Sequence, residues 1–101
     1  MMLPTSEQIE RAKVALLRAF DMKRRWAYQR TFAPENGPLP RHIEIVLADL
    51  RDFCRAERST FDTDPRISDL LQGRRDVWLR IAKYLALEEA DVRKLVEVEN
   101  E

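Results

Sequence analysis

Cysteine occurs once, at Cys54, and histidine once, at His42, in a chain of 101 residues. A lone cysteine excludes an internal disulfide and fits a reducing compartment. One histidine and one cysteine cannot make a zinc site without several carboxylates. Glycine is as scarce: Gly37 and Gly73 are the only two. No phosphate-cradling glycine loop can be written from them, and an all-β sandwich would lack its turn residues. No window approaches the roughly 20 apolar residues of a membrane span. Pro4, Ser6, Glu7 and Glu10 break up any apolar leader. No Ser–His–Asp spacing presents itself, and the many carboxylates fall on polar faces rather than in apolar surroundings that would shift their pKa. The sequence therefore predicts no catalytic, cofactor-binding or metal site, no cofactor, no membrane contact, and a soluble intracellular protein.

Net charge is also missing: 18 basic residues balance 18 acidic ones. That argues against a general nucleic-acid binder acting through bulk charge. The distribution is uneven, however. Between Arg11 and Arg30 stand Arg11, Lys13, Arg18, Lys23, Arg24, Arg25 and Arg30 against Asp21 alone. Glu88, Glu89, Asp91, Glu97, Glu99 and Glu101 face only Arg93 and Lys94 in the last stretch. A basic N-terminal arm and an acidic tail result. Solvated helix faces, or attraction between the two ends, would account for both.

What is abundant is helical periodicity. The length suits one domain with a modest core. Thr5 and Gln8 have the spacing of a capping box. Ile9, Ala12, Leu16 and Phe20, joined by Leu17, then recur on one face. This helix either continues to about Arg30 or bends near Asp21. Ala33 to Pro40 holds three of the five prolines and Gly37, so it reads as a hinge loop. Pro40 suits the first turn of a second helix, over about residues 41 to 57. Its apolar face carries Ile43, Val46, Leu47, Leu50, Phe53 and Cys54, with Glu44, Asp49, Arg51, Asp52 and Arg55 on the other face. Cys54 reads as a buried small hydrophobe. After a linker anchored by Phe61, Asp64 as N-cap and Pro65 at the first position open a third helix. Ile67, Leu70, Leu71, Arg74, Trp78, Ile81 and Leu85 line its face. Ala86 to Glu89 mark a corner before a short last helix with Val92, Leu95 and Val96 inward. The expected fold is all-α: a small bundle of about four helices. It divides into a basic helical arm (1–32), a hinge (33–40) and a helical unit (41–101). The expected core is Leu16, Phe20, Val46, Leu47, Leu50, Phe53, Leu70, Leu71, Trp78, Ile81 and Leu85.

The segment LQGRRDVWLR, residues 71–80, admits three readings. Gly73 could end one helix and Arg74 open another, giving a helix-turn-helix whose Arg74, Arg75 and Arg80 reach phosphates; Asp69 and Asp76 oppose that. Alternatively the helix is continuous, and Gly73 is where the second helix crosses. Glycine costs roughly 1 kcal/mol against alanine inside a helix, which a close approach would offset. Trp78 would then fill the core, and Arg74 would turn inward to a carboxylate (Asp49, Asp52 or Asp64) or to backbone carbonyls. In the third reading Arg75 and its neighbours form a protein-docking patch, since arginine and tryptophan are enriched among interface anchors.

The ordered series Tyr28-x-Arg30-x-Phe32, Val46-Leu47-Ala48-Asp49-Leu50-x-x-Phe53-Cys54, Ser59-Thr60-Phe61, Asp64-Pro65-Arg66 and Gly73-Arg74-Arg75-x-Val77-Trp78-Leu79-Arg80-Ile81 resembles a small helical domain family of tailed bacteriophages and prophages. Its type member comes from a short-tailed Bordetella phage. The segment Tyr84 to Val92 resembles the family's ending. The resemblance covers roughly residues 28 to 92. It implies a phage origin and a gene neighbourhood shared with head, portal and packaging genes. It supplies no enzymatic activity and no catalytic residues. The Pro34–Pro40 loop is longer than the family's connection, and the first 25 or so residues fall outside the match.

These readings combine into an expected function: a non-enzymatic virion-associated or assembly protein. It would bind other phage proteins of the head and portal region, as a possible homo-oligomer, in the host cytoplasm or in the virion. Lys23, Arg24, Arg25, Trp26, Arg75 and Arg80 are the candidate partner-binding residues. Gly73, Arg74, Trp78, Phe53 and Leu50 are the candidate structural residues. The first alternative is a nucleic-acid-binding packaging accessory or regulator using Lys23, Arg24, Arg25, Arg74 and Arg75. The second is an inhibitor of a host protein.

Overall fold

The computed structural model describes residues 2–34 and 37–101. Among them four helices and no strand occur: α1 (Ser6–Phe32), α2 (Arg41–Phe53), α3 (Pro65–Leu85) and α4 (Glu89–Glu99). Of the hinge loop, Glu35 and Asn36 lie outside the described residues.

Local chemistry fixes the ends. The Gln8 amide donates to Thr5 Oγ1 at 3.1 Å, and the Thr5 amide donates back to Gln8 Oε1 at 2.9 Å. This reciprocal box satisfies two amides that the first turn would otherwise leave open. From there α1 runs unbroken past Asp21, with no bend into two helices. Pro40 occupies the cap position of α2 rather than its first turn. α2 stops at Phe53, earlier than residue 57, because Arg55 takes a left-handed φ of 53°. The Asp64 carboxylate accepts from the Arg66 amide at 2.9 Å, with Pro65 as the first residue of α3. α3 ends at Ala86, φ 52°. There the Leu87 amide donates to the Ala82 carbonyl and the Ala86 amide to that of Lys83, both at 3.2 Å. These two bonds make a Schellman motif.

Packing joins the helices in two pairs. α2 packs most extensively on α4, α1 packs on α3, and the α2–α3 contact is smaller. Leu47 and Leu95 are fully buried, in one cluster with Cys54, Trp78 and Ile81. Tyr28, Phe32, Leu50 and Leu85 border it. The radius of gyration is 18.3 Å, against about 13 Å for a compact chain of this size.

The elongation comes from α1, which contains no buried residue. Leu16 and Phe20, expected in the core, are 58% and 51% exposed. α1 touches the body through its later half, where Asp21, Arg25, Tyr28, Gln29 and Phe32 are half-buried. Val46, Phe53 and Leu70 are also about half exposed rather than core residues, and Phe61 does not anchor its linker. For α2 the reason is a rotation. α4 covers the side that carries Glu44, Leu47, Ala48 and Arg51, all buried, so Val46 and Phe53 turn outward. Glu44 and Arg51, placed on the polar face by periodicity, lie in the interface instead.

Candidate functional site

Arg51 is the buried charge that periodicity misplaces. Its Nη1 donates to both carboxylate oxygens of Glu99, at 2.9 and 3.0 Å. Its Nη2 is in ion-pair contact with Glu57. Burial pulls the Arg51 pKa down, but the hydrogen bonds and charges of Glu57 and Glu99 outweigh it and raise the net value. Held this way, the guanidinium is a clamp between α2 and α4, although its buried Nη2 has the Glu57 ion pair and no hydrogen bond. The only signal in the sequence is an arginine near the end of α2 and an acidic tail.

LQGRRDVWLR lies in the middle of α3, which is uninterrupted, so the segment is not a helix-turn-helix. Gly73 is exposed, and a Cβ placed on it would meet nothing within 4 Å. It is not a crossing point. Arg74 does not turn inward to a carboxylate. Its guanidinium lies 4.4 Å from the centre of the Phe53 ring, a cation–π contact that shields part of the outward-facing phenyl. The carbonyl-capping role belongs to Arg75. Its Nε and Nη2 reach the Arg55 carbonyl at 3.2 and 2.8 Å, and Nη2 also bonds the Arg58 carbonyl. Those carbonyls belong to the turn after α2, next to the left-handed Arg55. Arg75, half-buried, therefore fastens that turn. Trp78 is in the core, and Leu50 borders it.

The α1–α3 contact is polar at its centre. Tyr84 donates its hydroxyl to Asp21 Oδ1 at 2.9 Å, and Lys83 Nζ stands 3.6 Å from the same oxygen. The Tyr84 bond, aided by Lys83 and Arg25 against partial desolvation, holds the Asp21 pKa below the ordinary carboxylate value. Gln29 reaches the Tyr84 carbonyl at 3.4 Å, and the Tyr28 ring tilts against the Tyr84 ring with centroids 5.0 Å apart. Arg80 lies 5.3 Å over the Tyr84 ring. Beside this contact runs a groove whose walls include Val14, Leu17, Phe20 and Arg24 from α1 and Arg80 and Lys83 from α3. The structure thus brings Arg24 and Arg80 together and leaves Arg75 elsewhere. Lys23 is exposed, Arg25 is half-buried near Asp21, and Trp26 is 62% exposed with Arg30 5.6 Å over its ring.

The outer side of α1 is a further exposed face. At 100° per residue, Ile9, Leu16, Phe20 and Ala27 lie roughly 120° around the helix from Asp21, Tyr28 and Phe32, which face α3. The outer residues are exposed. Among the described residues no cluster of histidine, cysteine and carboxylates could hold a metal ion, and no helix is long and apolar enough to cross a membrane.

Comparison with known families gives a match over residues 28–97 to the model described as "Bbp19-like phage protein". It begins within α1 and runs through α4, so it leaves out the first 27 residues, most of the projecting helix. No curated protein and no solved structure matches the chain.

Proposed function

The chain belongs to the family of Bbp19-like phage proteins, and on that premise we propose that it is a non-enzymatic assembly or virion-associated protein. Its work is to bind other phage proteins of the head and portal region, in the host cytoplasm or in the particle. The observation that carries this reading is α1: a helix of 27 residues with none buried. Ile9, Leu16, Leu17, Phe20 and Trp26 are exposed along it. An apolar helix face in water is unfavourable by about 25 cal/mol per Å² relative to a covered one, so a cover supplied by another protein is favoured. The family match begins within α1 at residue 28, so most of the proposed docking helix lies outside it. The test is co-purification of the full chain with head and portal proteins of its phage. L16E together with F20E should abolish capture while leaving the thermal unfolding of the body in place. Capture that survives both substitutions excludes α1 as the docking element.

A nucleic-acid role is the second reading, supported by Lys23 and Arg24 exposed on α1 and by Arg80 across the groove. Two of its five arginines and lysines are spent within the fold: Arg74 on Phe53 and Arg75 on backbone carbonyls. Light scattering with a short DNA duplex discriminates. A shift onto DNA that is lost steeply as salt rises would favour this reading.

A further inference from the structure

We propose that the first protein to cover α1 is a second copy of this chain, with the two α1 helices antiparallel about a twofold axis near Leu17 and Arg18. This rests on the reading of α1 as a docking element and specifies its occupant.

The argument begins with the pattern. Ile9, Lys13, Leu16, Phe20, Lys23 and Ala27 alternate in steps of four and three, the seam of a two-helix pairing. The seam is exposed and lies roughly 120° around α1 from the residues that face α3, with Phe20 also bordering the groove toward Arg80 and Lys83. An antiparallel partner places Leu16 against the partner's Phe20 and Ile9 against the partner's Ala27. On one flank Leu17 meets its own symmetry mate. On the other, Ala12 leaves room for the large ring of the partner's Trp26. A twofold interface must be self-complementary in this way, each contact occurring twice.

Charge selects the direction. The acids Glu7 and Glu10 lie at the start of α1, and Lys23, Arg24, Arg25 and Arg30 lie toward its end. Parallel copies would set like charge beside like charge. In the antiparallel register Glu10 faces the partner's Arg24, twice. The unfavourable meeting is Lys13 with the partner's Lys23, also twice. Lys13 already stands 3.4 Å from Glu10 of its own helix, and both lysines have stems long enough to carry their ammonium groups out to water. The overlap from Ile9 to Ala27 is about 27 Å of helix at 1.5 Å per residue. That is a limited interface, so a dimer that dissociates on dilution is expected.

The full chain alone tests this, by sedimentation over a range of concentrations. The expected result is a monomer–dimer equilibrium, abolished by L16E. E10R should weaken association, and E10R combined with R24E should restore it. Each of the two exposed pairs would contribute about 1.5- to 5-fold in the dimerisation constant. L17C should form a covalent dimer under mild oxidation, because its symmetry mate lies opposite, while A12C should not; native Cys54 is buried and does not compete. A chain that stays monomeric at every concentration overturns the proposal. A dimer indifferent to L16E, or one cross-linked equally by A12C, also overturns it. If the chain is monomeric but L16E still abolishes capture of head or portal proteins, the self-pairing fails and the docking role stands. If it dimerises as described but capture is unaffected by α1, the docking role toward other phage proteins fails and the self-pairing stands.

Discussion

α1 and the α2–α4 pair both carry apolar side chains at helical spacing, and these meet opposite fates. Ile9, Leu16 and Phe20 recur as regularly as Leu47, Leu50 and Cys54, yet the first set is exposed and the second is buried or half-buried. The difference lies in what stands opposite. α2 is short and bounded by two turns, so α4 can fold back on it and bring Leu95 against Leu47. α1 is 27 residues long, about 40 Å at 1.5 Å per residue, and the body reaches only its later half. A periodic stripe thus reports that a face wants cover. It does not report whether the same chain supplies it.

The sharpest way to test that difference is to remove equal side chains from both regions. Leu47 and Leu95 are completely enclosed, so L47A or L95A should cost about 2–5 kcal/mol. L16A, at a position more than half exposed, should change stability by no more than about 0.5 kcal/mol. Denaturant titrations of the three variants measure this, at a concentration low enough to keep the chain monomeric. A large loss for L16A would mean that α1 folds back onto the body in solution.

The next effect comes from the charge inside the α2–α4 interface. R51A leaves Glu99 and Glu57 without the guanidinium that joins them, and it opens a gap in the packing. The expected loss is about 1.5–3 kcal/mol, typical of hydrogen bonds to charged groups. R51M, which refills the volume, should recover part of it. Unchanged melting in R51A would show that the clamp contributes nothing to the pair.

A smaller effect belongs to the α1–α3 contact, where Y84F removes the bond to Asp21. Since the Asp21 pKa is depressed in the fold, its contribution is present above the unfolded carboxylate value, near 3.8, and is lost as pH falls through the lower folded value. Wild-type stability should therefore decline in that acidic window partly through Asp21, and Y84F should flatten the decline while lowering stability slightly at neutral pH. Melting curves between neutrality and strong acid check it. An identical slope in Y84F would remove Tyr84 as the cause of the shift.

Much of this architecture is legible in the sequence, for identifiable reasons. Capping signals work through neighbours within three residues, so Thr5 with Gln8 and Asp64 with Pro65 mark their helix starts correctly. The cores of α3 and α4 are legible as well, through Leu71, Trp78, Ile81 and Leu95. The rotation of α2 is not legible, because it depends on Glu99, 48 residues beyond Arg51. The candidate site divides in the same way. Arg74 and Arg75 are adjacent and chemically equal, and a periodic stripe assigned Arg74 the inward role. The inward role falls to Arg75 because the turn after α2 lies on its side of α3, presenting the carbonyls of Arg55 and Arg58.

Gly73 gives a small effect of opposite sign. A glycine at a tight helix crossing resists substitution, because a methyl group would push the neighbouring backbone away. Here the position is exposed and nothing lies within 4 Å of an added Cβ. Nor does it have a positive φ that only glycine tolerates. G73A should therefore stabilise the chain by roughly 0.5–1 kcal/mol, the gain from restricting the unfolded backbone and improving helix propensity. Loss of stability in G73A would mean that a helix does lie against this face in solution, and the surface around Arg74 and Phe53 would then be the covered one.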